Sequence, residues 1–216
     1  TAFSESGNNP AGTHRANVAA GFSIVSYVGT GAAGTVAHGL SVAPELMLIK
    51  NRDVNDPWAV YYGDNTDYLV LNENAATADA ATYWNDTSPT ATVFTVGTAH
   101  NVNADAENYI AYCWRSIDGF SKVGTYTGNG NADGTFIWTG FRPAYVMIKP
   151  SSRGGHWFIA NNKSSPSNVV DKVILANDSA GEYTDPNADC KKDFLSNGFK
   201  IRTTDDNTNE NNATYT

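Results

Sequence analysis

The sequence predicts an all-β protein built from two tandem antiparallel β-sandwich domains of jelly-roll type, with little helix. Of its 216 residues, 41% are hydrophobic and only 17% are charged, which is enough apolar material for a sizeable core. Short segments of β-branched and aromatic residues are separated by Gly, Asn, Asp and Pro roughly every 8 to 15 residues. The third observation is an internal repeat as long as a domain.

About six strands are predicted in each half of the chain, because each apolar segment is bounded by turn residues. In the first half they cover residues 22–28, 46–49, 58–62, 68–71, 92–96 and 109–114. In the second half they cover residues 123–127, 136–138, 145–149, 157–160, 172–175 and 199–203. The best helix candidate is the Ala-rich segment 74–81, for which we expect a loop or a single turn because its Thr and Asp residues disfavour helix.

The repeat begins with Gly21-Phe22-Ser23, which returns as Gly119-Phe120-Ser121. After one inserted residue, the two copies keep a constant offset of 99 positions. The matched pairs include Tyr27 with Tyr126, Pro44 with Pro143, Lys50 with Lys149 and Trp58 with Trp157. We therefore predict a loop-rich linker over residues 1–20, a first domain over 21–117 and a second domain over 118–216.

The two copies differ at their last strand. Copy one finishes with the strand 109–114, whereas copy two reaches Tyr215 at the point where that strand should begin. Ala2-Phe3 matches Ala111-Tyr112 of the strand in copy one. One interpretation is a window from a longer array of repeats. The other is that the amino-terminal segment of one molecule completes the second domain of its neighbour, so that Ala2, Phe3 and Tyr215 mediate assembly.

Charge and hydropathy argue against two classes of partner. The net charge is -8, and no basic stripe is present that could follow a phosphate backbone, so we expect no binding of nucleic acid. No apolar run reaches the roughly 18 residues that a membrane-spanning helix requires, so we expect no membrane insertion.

No motif for catalysis or cofactor binding is present, and we predict neither enzymatic activity nor a cofactor. The four His residues lack the spacing of a zinc site, and no G-x-S-x-G or P-loop sequence occurs. The weak metal candidates are Asp205, Asn207 and Asn209, whose alternating oxygens resemble a calcium loop, although Glu210 stands where such a loop has Gly. Cys113 and Cys190 are not equivalent in the two copies, so two buried thiols are favoured over a bridge.

Aromatic side chains are the best candidates for ligand binding. Rings beside Asn and Asp are typical of sites that bind sugars. Trp58 and Trp157 match across the copies and are expected in the core. Trp84 has no counterpart and stands beside Asn85-Asp86, so we expect it on the surface. Tyr61 and Tyr62 follow as candidates, because alternation along a strand must turn one of the two rings outward.

Several ordered motifs resemble a repeat domain in virion proteins of tailed phages, especially marine cyanophages. The motifs are the segments 20–27, Gly29-Thr30-Gly31, His38-Gly39-Leu40, Ala43-Pro44, Ile49-Lys50, Gly119-Phe120-Ser121, 126–130, 140–149 and 193–200. The resemblance covers residues 16–216. It implies a structural role in a virion, as part of a tail fibre or appendage at the host surface, and it implies no enzyme and no particular ligand residues.

The sequence thus predicts a non-enzymatic, extracellular virion module for assembly and host-surface adhesion. The expected partners are further copies of the chain, as a homo-oligomer or a head-to-tail array, other virion proteins, and a host glycan, for which many weak contacts would act together. Two alternatives remain open. The first is a filament or spacer subunit that polymerises by donor-strand exchange, and the second is a depolymerase that cleaves surface glycans with a pair of carboxylates.

Overall fold

The computed structural model describes residues 1–184 and 190–216, and it confirms an all-β protein with few helices. All strand pairings in the described residues are antiparallel. The chain divides into two compact units: unit 1 comprises Thr1–Leu71 and Ala78–Ile117, and unit 2 comprises Asn72–Thr77 and Asp118–Thr216. None of the described helices is both long enough and apolar enough to cross a bilayer.

Unit 1 contains an eight-stranded sheet in the order β1-β2-β3-β10-β5-β6-β7-β8 and a two-stranded sheet of β4 and β9. Its strands are β1 Ala2–Phe3, β2 Gly12–Asn17, β3 Phe22–Val28, β4 Gly34–Ala37, β5 Leu46–Asn51, β6 Ala59–Tyr61, β7 Asp67–Val70, β8 Ala78–Asp79, β9 Val93–Val96 and β10 Asn108–Trp114. Its helices are single turns, α1 Ala81–Trp84 and α2 His100–Asn103. The core is filled from both sheets, with Val25, Ile49 and Ala111 from the large one and Val36 and Phe94 from the small one.

Unit 2 contains three small sheets, in the orders β11-β19, β12-β18-β17 and β13-β14-β15-β16. Its elements are β11 Tyr126–Thr127, β12 Phe136–Trp138, β13 Tyr145–Ile148, β14 Phe158–Asn161, β15 Lys172–Leu175, β16 Tyr183–Thr184, β17 Lys192–Leu195, β18 Gly198–Ile201, α3 Asp206–Asn209 and β19 Thr214–Tyr215. All three sheets contribute to one core, which contains Ile148, Phe158, Phe194, Ile201 and Tyr215.

The predicted linker over residues 1–20 is wrong, because this segment contains β1 and β2 of the large sheet. The segment lacks the alternating apolar residues that predict a strand, because β2 is mostly exposed and polar side chains are tolerated there. The expectation of a buried thiol is confirmed for Cys113, which is free, and Cys190 is buried in unit 2. The segment 74–81, expected as a loop or a single turn, contains a loop and the two-residue strand β8, and the helical turn α1 begins at its last residue, Ala81.

A stacked pair of tyrosines occupies the same place in both units. Tyr27 and Tyr109 stack with ring centroids 5.1 Å apart, and Tyr126 and Tyr215 stack at 4.9 Å. The Tyr27 hydroxyl donates to the carbonyl of Val102 in α2 at 2.6 Å. The Tyr109 hydroxyl donates to the first carbonyl of α2, of His100, at 2.6 Å, and accepts from the Ala104 N–H at 2.8 Å. In unit 2 the same bonds are made to Thr208, Asp206 and Glu210.

A fully buried asparagine ends the short helix in each unit. The Asn103 side chain donates to the carbonyls of Ala32 at 2.7 Å and Gly97 at 2.8 Å, and it accepts from the Thr30 N–H at 2.9 Å. Asn209 makes the equivalent bonds to Asn131, Thr203 and Asn129 in unit 2. Because buried backbone groups need partners, one amide satisfies three of them at once.

We expect Asn103→Ala to lower the free energy of unfolding of unit 1 by about 2–4 kcal/mol, because it leaves buried backbone groups without partners. Urea denaturation followed by tryptophan fluorescence measures the change. The exposed Asn55→Ala is the matched control, with an expected change below about 0.5 kcal/mol. Equal stability of the two variants would contradict a structural role for Asn103.

Lys149 is a buried cation at the end of β13. Its ammonium group donates to the carbonyls of Gly155 at 2.7 Å and Asn74 at 3.3 Å. Burial, and to a lesser degree the charge of Arg153, lowers the pKa of Lys149 from 10.5 to about 8. The folded state therefore binds this proton less strongly than the unfolded chain does.

We expect the stability of unit 2 to gain a pH-dependent contribution from Lys149 that rises between pH 8 and pH 10.5. The sign follows because, in this window, the unfolded lysine keeps its proton and the folded lysine has lost it. Urea midpoints of the parent and of Lys149→Met across the window measure the difference. An identical pH slope in the two proteins would contradict the lowered pKa.

Candidate functional site

A difference between the units at one strand position defines the candidate site. In unit 1, β10 lies between β3 and β5 and pairs with both along its length. Its inward residues, Tyr109, Ala111 and Cys113, are all fully buried in the core. β10 is therefore the central strand on which the large sheet of unit 1 is built.

Unit 2 contains only the beginning of the equivalent strand. β19 pairs with β11 through Tyr215 opposite Tyr126, as Tyr109 lies opposite Tyr27 in unit 1. Thr216 then exchanges two backbone hydrogen bonds with Lys149, at 2.8 and 2.9 Å. Beyond this point no described strand continues along β13, so β13 is an edge strand there. We call the position beside β13 that β10 fills in unit 1 the open strand position.

The backbone of β13 is oriented to accept another strand. In an antiparallel ladder, the N–H and C=O groups of a residue point to one side, and those of its neighbour to the other. Lys149 bonds to Thr216 on the open side, so the backbone groups of Met147 and Tyr145 are directed to that side too. The edge therefore presents donors and acceptors in the pattern that β5 presents to β10.

Two aromatic side chains of unit 2, one of them on β13, are exposed to solvent. Phe120 is 65% exposed and Tyr145 is 56% exposed. In unit 1 the counterpart of Phe120 is Phe22, whose ring lies 5.1 Å from that of Trp114 and stacks on Tyr112. Both of those rings belong to β10. In unit 2 Phe120 lies in a turn instead of a strand.

Trp84, expected on the surface, is a core residue with 1% exposure, so that prediction is wrong. The α1 turn carries its ring inward, where it packs edge-on against Tyr61 at 5.6 Å and its indole N–H donates to Asp67 O at 3.0 Å. The polar Asn85 follows in a left-handed turn, which explains the misleading sequence context. Tyr61 is buried and Tyr62 is half-buried. Tyr62 is therefore the one of the two rings that faces outward, as alternation along the strand predicts.

Trp138 is the tryptophan that the structure exposes, at 62%. It lies on β12, next to the exposed Phe136 in the same strand. Gly140 lies close to this ring. A Cβ atom at position 140 would be only 3.3 Å from the edge of the Trp138 indole. Of the predicted core pair, Trp157 is buried and Trp58 is half-buried, stacked on Tyr112. Sequence matching could have indicated Trp138, whose counterpart in copy one is Gly39.

The predicted assembly residues are separated into different units. Ala2 and Phe3 pair with Thr13 and Gly12 of the same chain, so β1 is an edge strand of its own sheet. Phe3 packs partly against the core of unit 1 and stacks on His14 at 6.2 Å. Tyr215 is buried in unit 2. The amino-terminal strand therefore has a partner within its own chain, which the sequence alone did not indicate.

The predicted calcium residues have structural partners instead. Asp205 caps α3, because its carboxylate accepts from the N–H of Asn207 at 2.8 Å and from its side chain at 2.8 Å. Asn209 is the buried amide described above. The alternating polar residues of this loop are explained by a helix cap and a buried hydrogen-bond network.

The chain belongs to a family described as a domain of unknown function (DUF7483), whose model matches residues 4–216. The match runs through both units as a single domain. Among the curated proteins and the solved structures, no significant match is found.

We expect Trp138→Ala to change the free energy of unfolding by less than about 0.5 kcal/mol, because its ring is exposed. Trp84→Ala should lower it by about 3–5 kcal/mol, because it leaves a cavity in the core. Urea denaturation followed by far-UV circular dichroism compares the two. A destabilised Trp138→Ala or an unaffected Trp84→Ala would contradict the assignment of the two rings.

Proposed function

We propose that this chain is a non-enzymatic structural module that assembles with further copies of itself by β-strand addition at the open strand position of unit 2. The observation that carries the proposal is the edge of β13, where the backbone groups of Tyr145 and Met147 point away from β14 and pair with no described strand. An added strand would satisfy the backbone groups of Tyr145 and Met147. Strand addition at such edges is a common mode of assembly.

The best candidate for the added strand is the segment 1–6 of a second copy. In β10 the inward positions after Tyr109 carry the small residues Ala111 and Cys113, and the outward position between them carries Tyr112. Ala2, Phe3 and Ser4 repeat this order of small, aromatic and small side chains. Within its own unit, β1 pairs over only two residues, extended by two bonds between Thr1 and His14.

The setting we propose is a phage virion appendage, such as a tail fibre, with two tandem sandwich domains of jelly-roll type in each chain. The resemblance of the repeat motifs supports it. Host-surface adhesion, through a glycan, would use Trp138, whose exposed ring offers the flat apolar face on which sugars stack. Repetition of the module along an assembly would multiply weak contacts.

Light scattering across a concentration series tests the assembly. We expect the mass of the parent chain to grow with concentration. Met147→Pro should remain monomeric, because proline removes an N–H directed to the open strand position and leaves the pairing of β13 with β14 intact. Deletion of residues 1–6 should also prevent growth.

Asp79→Pro is the matched control, since Asp79 lies in the edge strand β8 of unit 1, and it should assemble like the parent. A parent chain that stays monomeric at about 1 mM would refute self-assembly, since specific association is far tighter than that. Assembly of the deletion variant would instead refute the segment 1–6 as the added strand.

A further inference from the structure

Three side chains that are distant in sequence converge at one end of unit 1. They are Asp56 from the loop between β5 and β6, His100 at the start of α2, and Glu107 just before β10. The His100 Nδ1 atom lies 2.9 Å from Asp56 Oδ2 and 3.7 Å from Glu107 Oε2. All three potential ligand atoms lie within 4.8 Å of one another.

The two distances from the His100 Nδ1 atom are close to those expected around a common bound cation. A metal with bonds of about 2.0–2.2 Å to nitrogen and oxygen holds neighbouring ligand atoms roughly 3–3.6 Å apart. The two carboxylates are about three-quarters buried, with 24% and 23% exposure, whereas the His100 ring is 60% exposed. The site is therefore anchored in the protein on one side and open to solvent on the other, where water could complete the coordination.

The two carboxylates are held in place by a second layer of hydrogen bonds. The Asn51 amide nitrogen donates to Asp56 at 3.1 Å and also to Glu107. Its orientation is fixed because its oxygen accepts from the N–H of Asp53 at 3.0 Å. Each carboxylate keeps further lone pairs for a cation. Such outer hydrogen bonds are typical of metal sites, where they orient the ligands.

The equivalent place in unit 2 contains a positive charge supplied by the chain itself. Arg153, in the loop between β13 and β14, contacts Asp206 at 2.8 Å and Glu210 at 3.2 Å. Asp206 begins α3 as His100 begins α2. The loop of unit 1 has Val54 at the position of Arg153. Two carboxylates thus meet at this end of both units, and unit 1 provides no arginine between them.

We propose that Asp56, His100 and Glu107 bind a divalent transition-metal cation of the Zn²⁺ or Mn²⁺ type, which does in unit 1 what the Arg153 guanidinium does in unit 2. The imidazole nitrogen favours such a metal over Ca²⁺, which takes oxygen ligands. The cation would tie the loop before β6, the turn α2 and the start of β10 together.

Calorimetric titration of the metal-free full chain with ZnCl₂, and separately with MnCl₂, tests the site. We expect one tight site per chain for at least one of the two metals. Asp56→Asn, Glu107→Gln and His100→Ala should each weaken that binding at least about tenfold. Saturation with the metal should raise the urea midpoint of the parent and leave that of His100→Ala unchanged.

His156→Ala is the matched control, because His156 belongs to unit 2 and should leave the metal affinity unchanged. Circular dichroism establishes that each variant is folded before it is titrated. Binding by His100→Ala with the affinity of the parent would overturn the proposal, and so would the absence of binding of both metals at about 1 mM. Ca²⁺ bound as tightly as Zn²⁺ and Mn²⁺ would overturn the role of the imidazole.

Discussion

The stacking of two tyrosines beneath a single helical turn is the interaction on which both units depend. Tyr27 and Tyr109 hold α2 through three backbone hydrogen bonds, and Tyr126 and Tyr215 hold α3 in the same way. A four-residue helix cannot persist alone in water, so these bonds and the buried asparagine at its end determine its position. The same residues fix the register of β3 with β10 and of β11 with β19, because the two tyrosines of each stacked pair lie directly opposite each other in the ladder.

The two units share this centre and differ in how far the last strand continues. In unit 1, β10 continues beyond Tyr109 along its neighbours β3 and β5, and it places the Tyr112 and Trp114 rings on the outer face of the sheet. In unit 2 only Tyr215 and Thr216 occupy that path. An unpaired backbone edge is a liability in an isolated domain and a means of recognition in an assembly.

The same comparison explains the charges around the short helices. Both units bring two carboxylates to the start of the helix, and like charges held close together favour a positive partner. In unit 2 the positive partner is Arg153, a residue of the same chain. Unit 1 provides an imidazole and an open face. The duplicated architecture thus allows one copy to be closed by its own chain and the other by a cation from solution.

The sequence by itself determined the all-β class, most strand positions and the register of the repeat, because turn residues and alternation act locally. Tertiary structure alone decided which rings are buried, because Trp84 stands beside polar residues and is buried, whereas Trp138 follows apolar residues and is exposed. It also decided that β1 returns to its own sheet, and that Asp56, His100 and Glu107 meet. These outcomes depend on contacts between residues far apart in the chain, which no local pattern encodes.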